Sequence, residues 1–204
     1  MAINLKRIFF LLQDPIQSCI QFLEENEFIR LQENGNVYVA TPLGQACLAS
    51  SLPPDEGLSL FRELQRARRC FVLDSDLHII YQVTPYSVSE QWSKLDWLNV
   101  LNVWEELPAT LKRVGELVGV QESFLARVVK GTANPEIPEN RSKLSIVRRF
   151  YTALALQDLV NEIPLTEVAR KYDCNKGMLQ SLQQSAATYA GEIRKKILEK
   201  IFFD

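Results

Sequence analysis

Histidine occurs once in the 204-residue chain, at His78, flanked by Leu77 and Ile79-Ile80. One imidazole in an apolar run cannot build a histidine-rich zinc site, and no Ser/His/Asp set can be assembled around it. His78 reads as a structural histidine with a satisfied hydrogen bond. The four cysteines, Cys19, Cys47, Cys70 and Cys174, are far apart and show no C-x-x-C spacing. They read as reduced, mostly buried thiols of an intracellular protein, not as metal ligands or a disulfide framework. The G-x-x-x-x-G-K-[ST] phosphate cradle is absent, and "DSDLH" places no acid pair for magnesium. Nothing supports acid–base or covalent catalysis by this chain alone, and the catalytic and metal sets are read as empty.

Long apolar runs are missing too. A membrane-spanning helix needs about 18 or more consecutive apolar residues, and none approaches that. The opening "LKRIFFLLQDP" is basic then apolar, but too short for a secretory signal and without a small-residue cleavage site. Eight glycines and nine prolines argue against long disordered tracts.

The chain holds 47% hydrophobic and 24% charged residues, the balance of a globular protein with one large or two small domains. A formal net charge of −2 argues against wholesale electrostatic binding to nucleic acid. The charge is uneven, however. Residues 1–107 carry 8 basic and 14 acidic side chains, net −6, whereas residues 108–204 carry 15 and 11, net +4. An anionic partner would meet the second half.

In "QDPIQSCIQFLEENEFI", Asp14 and Pro15 read as a helix cap and first position, followed by an apolar stripe at Ile16, Cys19, Ile20 and Leu23. "FIRLQENGNVYVATPLG" reads as two short strands around Asn34-Gly35, a tight-hairpin signal. Thr41-Pro42 restarts a helix. Helix, hairpin, helix is the rear half of a winged helix. Its front half is mostly missing, so the sequence reads as a piece of something longer. "PPDEGLSLFRELQRARRC" opens another helix with Asp55 and Glu56 in the first turn. "FVLDSDLHIIYQVTPY" mixes β-branched and aromatic residues and reads equally as helix or strand. A boundary is expected at "TPYSVSEQ", residues 84–90.

From Trp92 onward nearly everything reads helical, over 90–106, 108–118, 121–130, 142–162, 164–172 and 175–198, with "KGTANPEIPENR" as a loop. Two stretches echo each other. "RVGELVGVQESFLARV" and "EVARKYDCNKGMLQSL" align without gaps, pairing Val114 with Val168, Gly115 with Ala169, Val120 with Cys174 and Leu125 with Leu179. Each reads as helix, small residue, turn, helix, a pattern that binds DNA or simply packs helices steeply.

Basic residues cluster at Arg62/Arg66/Arg68/Arg69, Arg127/Lys130, Arg141/Lys143/Arg148/Arg149 and Arg194/Lys195/Lys196. Such clusters bind phosphates or are solvated helix faces; one of Arg148 and Arg149, in mid-helix, suits pairing with a carboxylate. The last helix is the most distinctive segment. Met178, Leu182, Ala186, Tyr189 (or Ala190), Ile193 and Ile197 form its apolar stripe. Its other face, Gln180, Gln184, Ala187, Thr188, Gly191 and Lys195, is small and uncharged up to its basic end. Single-stranded nucleic acid is held by stacking beside a positive groove. That face could receive bases, with Arg194 and Lys195 at phosphates and Tyr189 either stacking or in the core.

"SLPPDEGLSLFRELQRARRCFVLDSDLHIIYQVTPY", "WEELPATLKRVGELVGVQESFLARVVKG" and "YDCNKGMLQSLQQSAATYAG" resemble the helicase-like half of DNA polymerase theta, and more distantly the polymerase-theta-like and archaeal Ski-type helicases of superfamily 2. The resemblance runs from about Cys19 to Ile197. It implies a mostly α fold: a partial winged helix with a small β-hairpin at 1–52, then a multi-helix ratchet-type bundle at 53–204. In such helicases one long ratchet helix lies across two RecA-like motor domains and touches the translocating strand. The segment 175–198 matches it, and the family's stacking aromatic falls at Thr188 or Tyr189. The implied DNA-binding residues are Gln180, Gln184, Thr188, Tyr189, Gly191, Arg194, Lys195, Arg148 and Arg149.

The resemblance also implies partners and place: single-stranded or tailed DNA, the motor domains of the same or another chain, no membrane, a nuclear location, and double-strand break repair. No cofactor is expected in this chain, because ATP and magnesium belong to the absent motor domains. Two other functions fit the residues. A helix-turn-helix regulator would read bases from Asn175 and Lys176, although Gln121, Glu122 and Ser123 make a poor reader in the other copy. A protein-interaction scaffold would have no nucleic-acid role.

Overall fold

The computed structural model describes residues 5–32, 35, 37–50, 53–69, 75–92 and 94–192, with the backbone alone for 5–14, 66–69 and 192. Eleven α-helices and one two-stranded sheet account for most of these residues, so the fold is mostly α with a small hairpin. The chain forms two compact units, the second of which runs Leu60–Gly191.

In the first unit α1 spans Leu5–Glu25 and contains Pro15. The helix therefore does not start at Asp14, as the cap-then-proline pattern suggested. An interior proline loses its backward hydrogen bond and crowds the carbonyl four residues earlier, at a cost of about 3 kcal/mol, yet α1 runs through Pro15. The helix ends through Glu27, whose φ of 59° is left-handed, with the Phe28 amide donating to the Leu23 carbonyl at 2.8 Å. Strands β1 (Ile29–Leu31) and β2 (Tyr38–Ala40) pair antiparallel, Ile29 opposite Ala40. The Gly35 amide closes the turn on the Gln32 carbonyl at 2.8 Å, and its φ of 73° is what glycine permits cheaply; Asn34 lies outside the described residues. Thr41 caps α2 (Pro42–Ser50) by accepting from the Gly44 amide at 3.1 Å. Gly44 allows α2 to reach the hairpin, since a Cβ there would lie 2.0 Å from the Phe28 carbonyl oxygen.

Helix α3 (Pro54–Arg69) carries Asp55 and Glu56 in its first turn. The second unit continues with α4 (Leu77–Val83), α5 (Tyr86–Gln91), α6 (Trp97–Glu106), α7 (Ala109–Val118), α8 (Glu122–Val129), a 3₁₀ turn at Pro138–Asn140, α9 (Arg141–Val160), α10 (Leu165–Lys171) and α11 (Lys176–Glu192). Residues 84–90 are not a boundary. Thr84 and Ser89 are buried, and α5 packs on α9 inside this unit. The expected helix over 90–106 is two helices, because Asp96 starts α6 by accepting from the Leu98 and Asn99 amides. Leu77–Val83 resolves as helix: Leu77, Ile80 and Tyr81 are buried at i, i+3, i+4 spacing. His78 is buried there and engaged in an interaction.

Helix α9 is the centre of the bundle. From Arg149 to Leu156 every residue is buried, which a helix tolerates only when others surround it. Helices α4, α5 and α10 pack against it. A hydrogen-bonded aromatic group fastens α10. Asn99 Nδ2 donates to Tyr151 Oη at 2.7 Å and to the Lys171 carbonyl, while Tyr172 Oη donates to Asp158.

The internal echo is a structural repeat. In the first copy Gly119 is left-handed (φ 107°) and the Val120 amide donates to the Gly115 carbonyl at 2.8 Å. In the second Asp173 is left-handed (φ 48°) and the Cys174 amide donates to the Ala169 carbonyl at 3.0 Å. Val114, Val168, Leu125 and Leu179 are all buried. Both copies leave one helix through the same carbonyl-capping turn and enter the next.

Candidate nucleic-acid interface

Helix α11 starts where the second repeat turns. Asn175 caps it, its Oδ1 accepting from the Met178 amide at 2.8 Å. That hydrogen bond commits the side chain which a base-reading helix would present. In the first copy Glu122 is likewise engaged, accepting from Trp104 Nε1 at 3.1 Å.

Leu179, Leu182, Ala186 and Tyr189 form the buried face of α11. Gln180, Ser181, Gln184, Ala187, Thr188 and Gly191 are exposed. No charged residue occurs from Gly177 to Gly191. The Thr188 hydroxyl donates to the Gln184 carbonyl at 3.0 Å, which settles its rotamer. Among the described residues no atom lies within 4 Å of where a Cβ on Gly191 would sit.

Tyr189 is 8% exposed. Its ring completes the buried face at i+3 from Ala186, so it is a core residue and not a stacking platform. Among the described residues the exposed face of α11 carries no aromatic ring. Thr188 is exposed, with a hydroxyl in place of one.

Arg149 is a second correction. It is 0% exposed and faces the protein interior. Nε donates to the Thr84 carbonyl at 2.8 Å, Nη2 to the Gln82 carbonyl at 3.2 Å, and Nη1 pairs with Glu63 Oε2 at 2.5 Å. The Tyr86 and Tyr81 rings lie 4.0 and 4.5 Å from its guanidinium carbon. The other Glu63 oxygen accepts from Tyr86 Oη at 2.6 Å. Burial alone would lower the pKa of Arg149. Tyr81, Glu63, Tyr86 and Tyr189 outweigh that and hold it above its usual value. Each of its three nitrogens donates to a protein oxygen and the side chain is fully buried, so it does not reach phosphate. It joins α3, α4, α5 and α9.

Arg148, one residue earlier, is turned about 100° around the helix axis. It is 17% exposed and pairs with Glu136 at 3.2 Å. It lines a cleft of about 320 Å³ with Arg141, Ser89, Ser145, Glu90 and Glu136, and no described residue of α11 takes part. Gln180, Gln184, Thr188 and Gly191 thus share one surface, Arg149 and Tyr189 belong to the core, and Arg148 belongs to another surface. Arg194 and Lys195 lie outside the described residues. Glu63, Tyr81 and Tyr86, which hold the arrangement, had no local signal: Glu63 is 86 positions from Arg149. Among the described residues no group of three or more histidine, cysteine or acidic side chains is placed to hold a metal ion.

Residues 54–196 match the family described as DNA_pol_Q helicase like region helical domain. The chain belongs to this family. It is 52% identical to DNA polymerase theta of Drosophila melanogaster over 180 residues, covering 86% of this chain. It is 50% identical to DNA polymerase theta of Mus musculus over 183 residues, 87% of this chain. A more distant relative, Helicase POLQ-like of Homo sapiens, is 28% identical over 151 residues, covering 74% of the chain and 13% of that protein. The match spans 8% and 7% of the two polymerases. The polymerase-theta helical domain is therefore the α3-to-α11 part of this chain, and α11 is its last described helix.

Proposed function

We propose that this chain is the single-stranded or tailed DNA-binding accessory region of an ATP-dependent polymerase-theta-type helicase, acting in double-strand break repair in the nucleus. The observation that carries this reading is α11. Its inner face is seated by Leu179, Leu182, Ala186 and Tyr189, and its outer face offers amides, a hydroxyl and a glycine without any charge. Flat amides and small side chains let bases lie against a helix, and exclude neither purine nor pyrimidine. The open space at Gly191 lets a strand approach the backbone. The names of the relatives, polymerase and helicase, support a DNA substrate.

The proposed partners are DNA and the RecA-like motor domains of the same or a partner chain. ATP and magnesium are assigned to those domains, because this sequence has no phosphate cradle to hold them. The helix-turn-helix regulator reading loses support where Asn175 and Glu122 are spent on a cap and on Trp104.

Fluorescence anisotropy with labelled single-stranded, 3′-tailed and blunt DNA tests the proposal. Single-stranded and tailed DNA should bind best. Gln184→Glu/Thr188→Glu, which puts carboxylates on the exposed face, should weaken that binding about tenfold, ~1.4 kcal/mol. Equal or tighter binding of blunt duplex, or no effect of the variant, overturns it. Absence of any binding assigns the small face of α11 to packing against the motor domains.

A further inference from the structure

The repeat places a second helix in the position that α11 holds in its own copy. By the same alignment, Ser123, Ala126, Arg127 and Lys130 at α8 stand where Gly177, Gln180, Ser181 and Gln184 stand on α11. Ser123, Arg127 and Lys130 follow i, i+4, i+7 spacing along one face, and all three are exposed. Where the second copy carries hydroxyl and amide, the first carries two cations. Neither has an ion-pair or hydrogen-bond partner for its side chain among the described residues. The acid of α8, Glu122, points elsewhere and accepts from Trp104. A third cation flanks the helix: Lys143 of α9 holds its ammonium 5.6 Å from the Phe124 ring centroid.

We propose that the outer face of α8 is a second contact for nucleic acid, in which Arg127 and Lys130, flanked by Lys143, bind the phosphodiester backbone. It rests on the reading of α11 as a DNA-facing helix and adds a division of labour. The uncharged face meets bases, and its repeat-related counterpart meets phosphates. The charge fits that occupant: two cations on α8, a third on α9 beside it and no unengaged acid on α8 suit a polyanion and give an acidic strand its counter-charge. Arg127 and Lys130 also stand at the C-terminal end of α8, where cations favour the helix dipole. A dipole role alone predicts altered melting and no altered salt response.

The experiment follows binding of a labelled single strand to the full chain from about 50 to about 200 mM salt. Each phosphate contact on a single strand adds about 0.7 to the steepness of log affinity against log salt, so Arg127→Gln/Lys130→Gln should flatten the slope by about 1.4. Lys143→Gln alone should flatten it by about 0.7, and Arg127→Lys should leave it unchanged. Gln184→Leu/Thr188→Leu, which alters the α11 face without adding charge, should weaken binding without flattening the slope. A wild-type slope and affinity in Arg127→Gln/Lys130→Gln, with the α11 variant still impaired, overturns this proposal and leaves the α11 reading standing. A wild-type chain that binds no DNA overturns both. If the double variant melts early, Lys143→Gln, which leaves α8 intact, decides the outcome.

Discussion

The two helix–turn–helix copies share a backbone plan and differ in what they build around it. In the first, Gly115 leaves room for two aromatic rings, since a Cβ there would lie 2.5 Å from Trp104 and 2.9 Å from Phe150. In the second, Ala169 stands at the matching place and is only half-buried. The first copy turns through glycine and the second through aspartate. The first ends in the eight-residue α8 and the second in α11, described over 17 residues. A repeated turn is thus a device for placing a helix, and the face that helix presents is free to diverge. Buried positions Val114, Val168, Leu125 and Leu179 kept their chemistry because close packing penalises change. Exposed positions such as Arg127 and Ser181 did not, because surface substitutions cost little.

The largest expected effect lies at Arg149 of α9, outside both copies, which ties α3, α4 and α5 to the helix at the centre of the bundle. Arg149→Met removes one partner of a buried ion pair and leaves Glu63 and two carbonyls unanswered. It should cost about 3–5 kcal/mol in urea unfolding. A loss below about 1 kcal/mol would show that the guanidinium network does not anchor the fold.

A smaller effect sharpens the turn comparison. Gly119 at φ 107° accommodates no side chain without strain, and a Cβ would approach Ile146 Cδ1 to 3.3 Å. Gly119→Ala should destabilise by about 1–2 kcal/mol, while Asp173→Gly should stabilise by up to about 1 kcal/mol. Thermal melts of the two variants should move in opposite directions.

The smallest effect is at Cys174, the counterpart of Val120. Burial, reinforced by the Asp173 charge, raises its pKa from 9.0 to about 11. The folded state favours the neutral thiol, so its contribution is complete below the ordinary pKa and is lost as pH rises toward the folded one. Cys174→Val gives the second turn the residue of the first. It should lessen the alkaline loss of stability between about pH 8 and 11, with little change at neutral pH. Urea midpoints across that range measure it, and an unchanged alkaline loss would remove Cys174 as a source.

Much of this was readable residue by residue. The cap-and-proline pair Thr41-Pro42, the turn glycine Gly35 and the helical periods from Ala109 onward are local signals, and each formed where its chemistry acts. Pro15 misled because a proline inside a helix and one at its start look alike without the preceding turn. The break between α5 and α6 was hidden because a continuous apolar pattern crosses it. Arg148 and Arg149 are adjacent and chemically identical in sequence, yet one lines a cleft and the other fills the core. The fate of Arg149 depends on Glu63, Gln82 and Thr84, and distance along the chain conceals those partners.

By itself the sequence determined a mostly helical chain, its hairpin, the repeat and the uncharged stretch of α11, because periodicity, caps and composition act over a few residues. Only the tertiary structure decided that Tyr189 is core, that Arg149 is locked away, and that Gln180, Gln184, Thr188 and Gly191 share an open surface. The reason is that burial is a property of what packs against a residue, and at Arg149 that neighbour comes from helices distant in the chain.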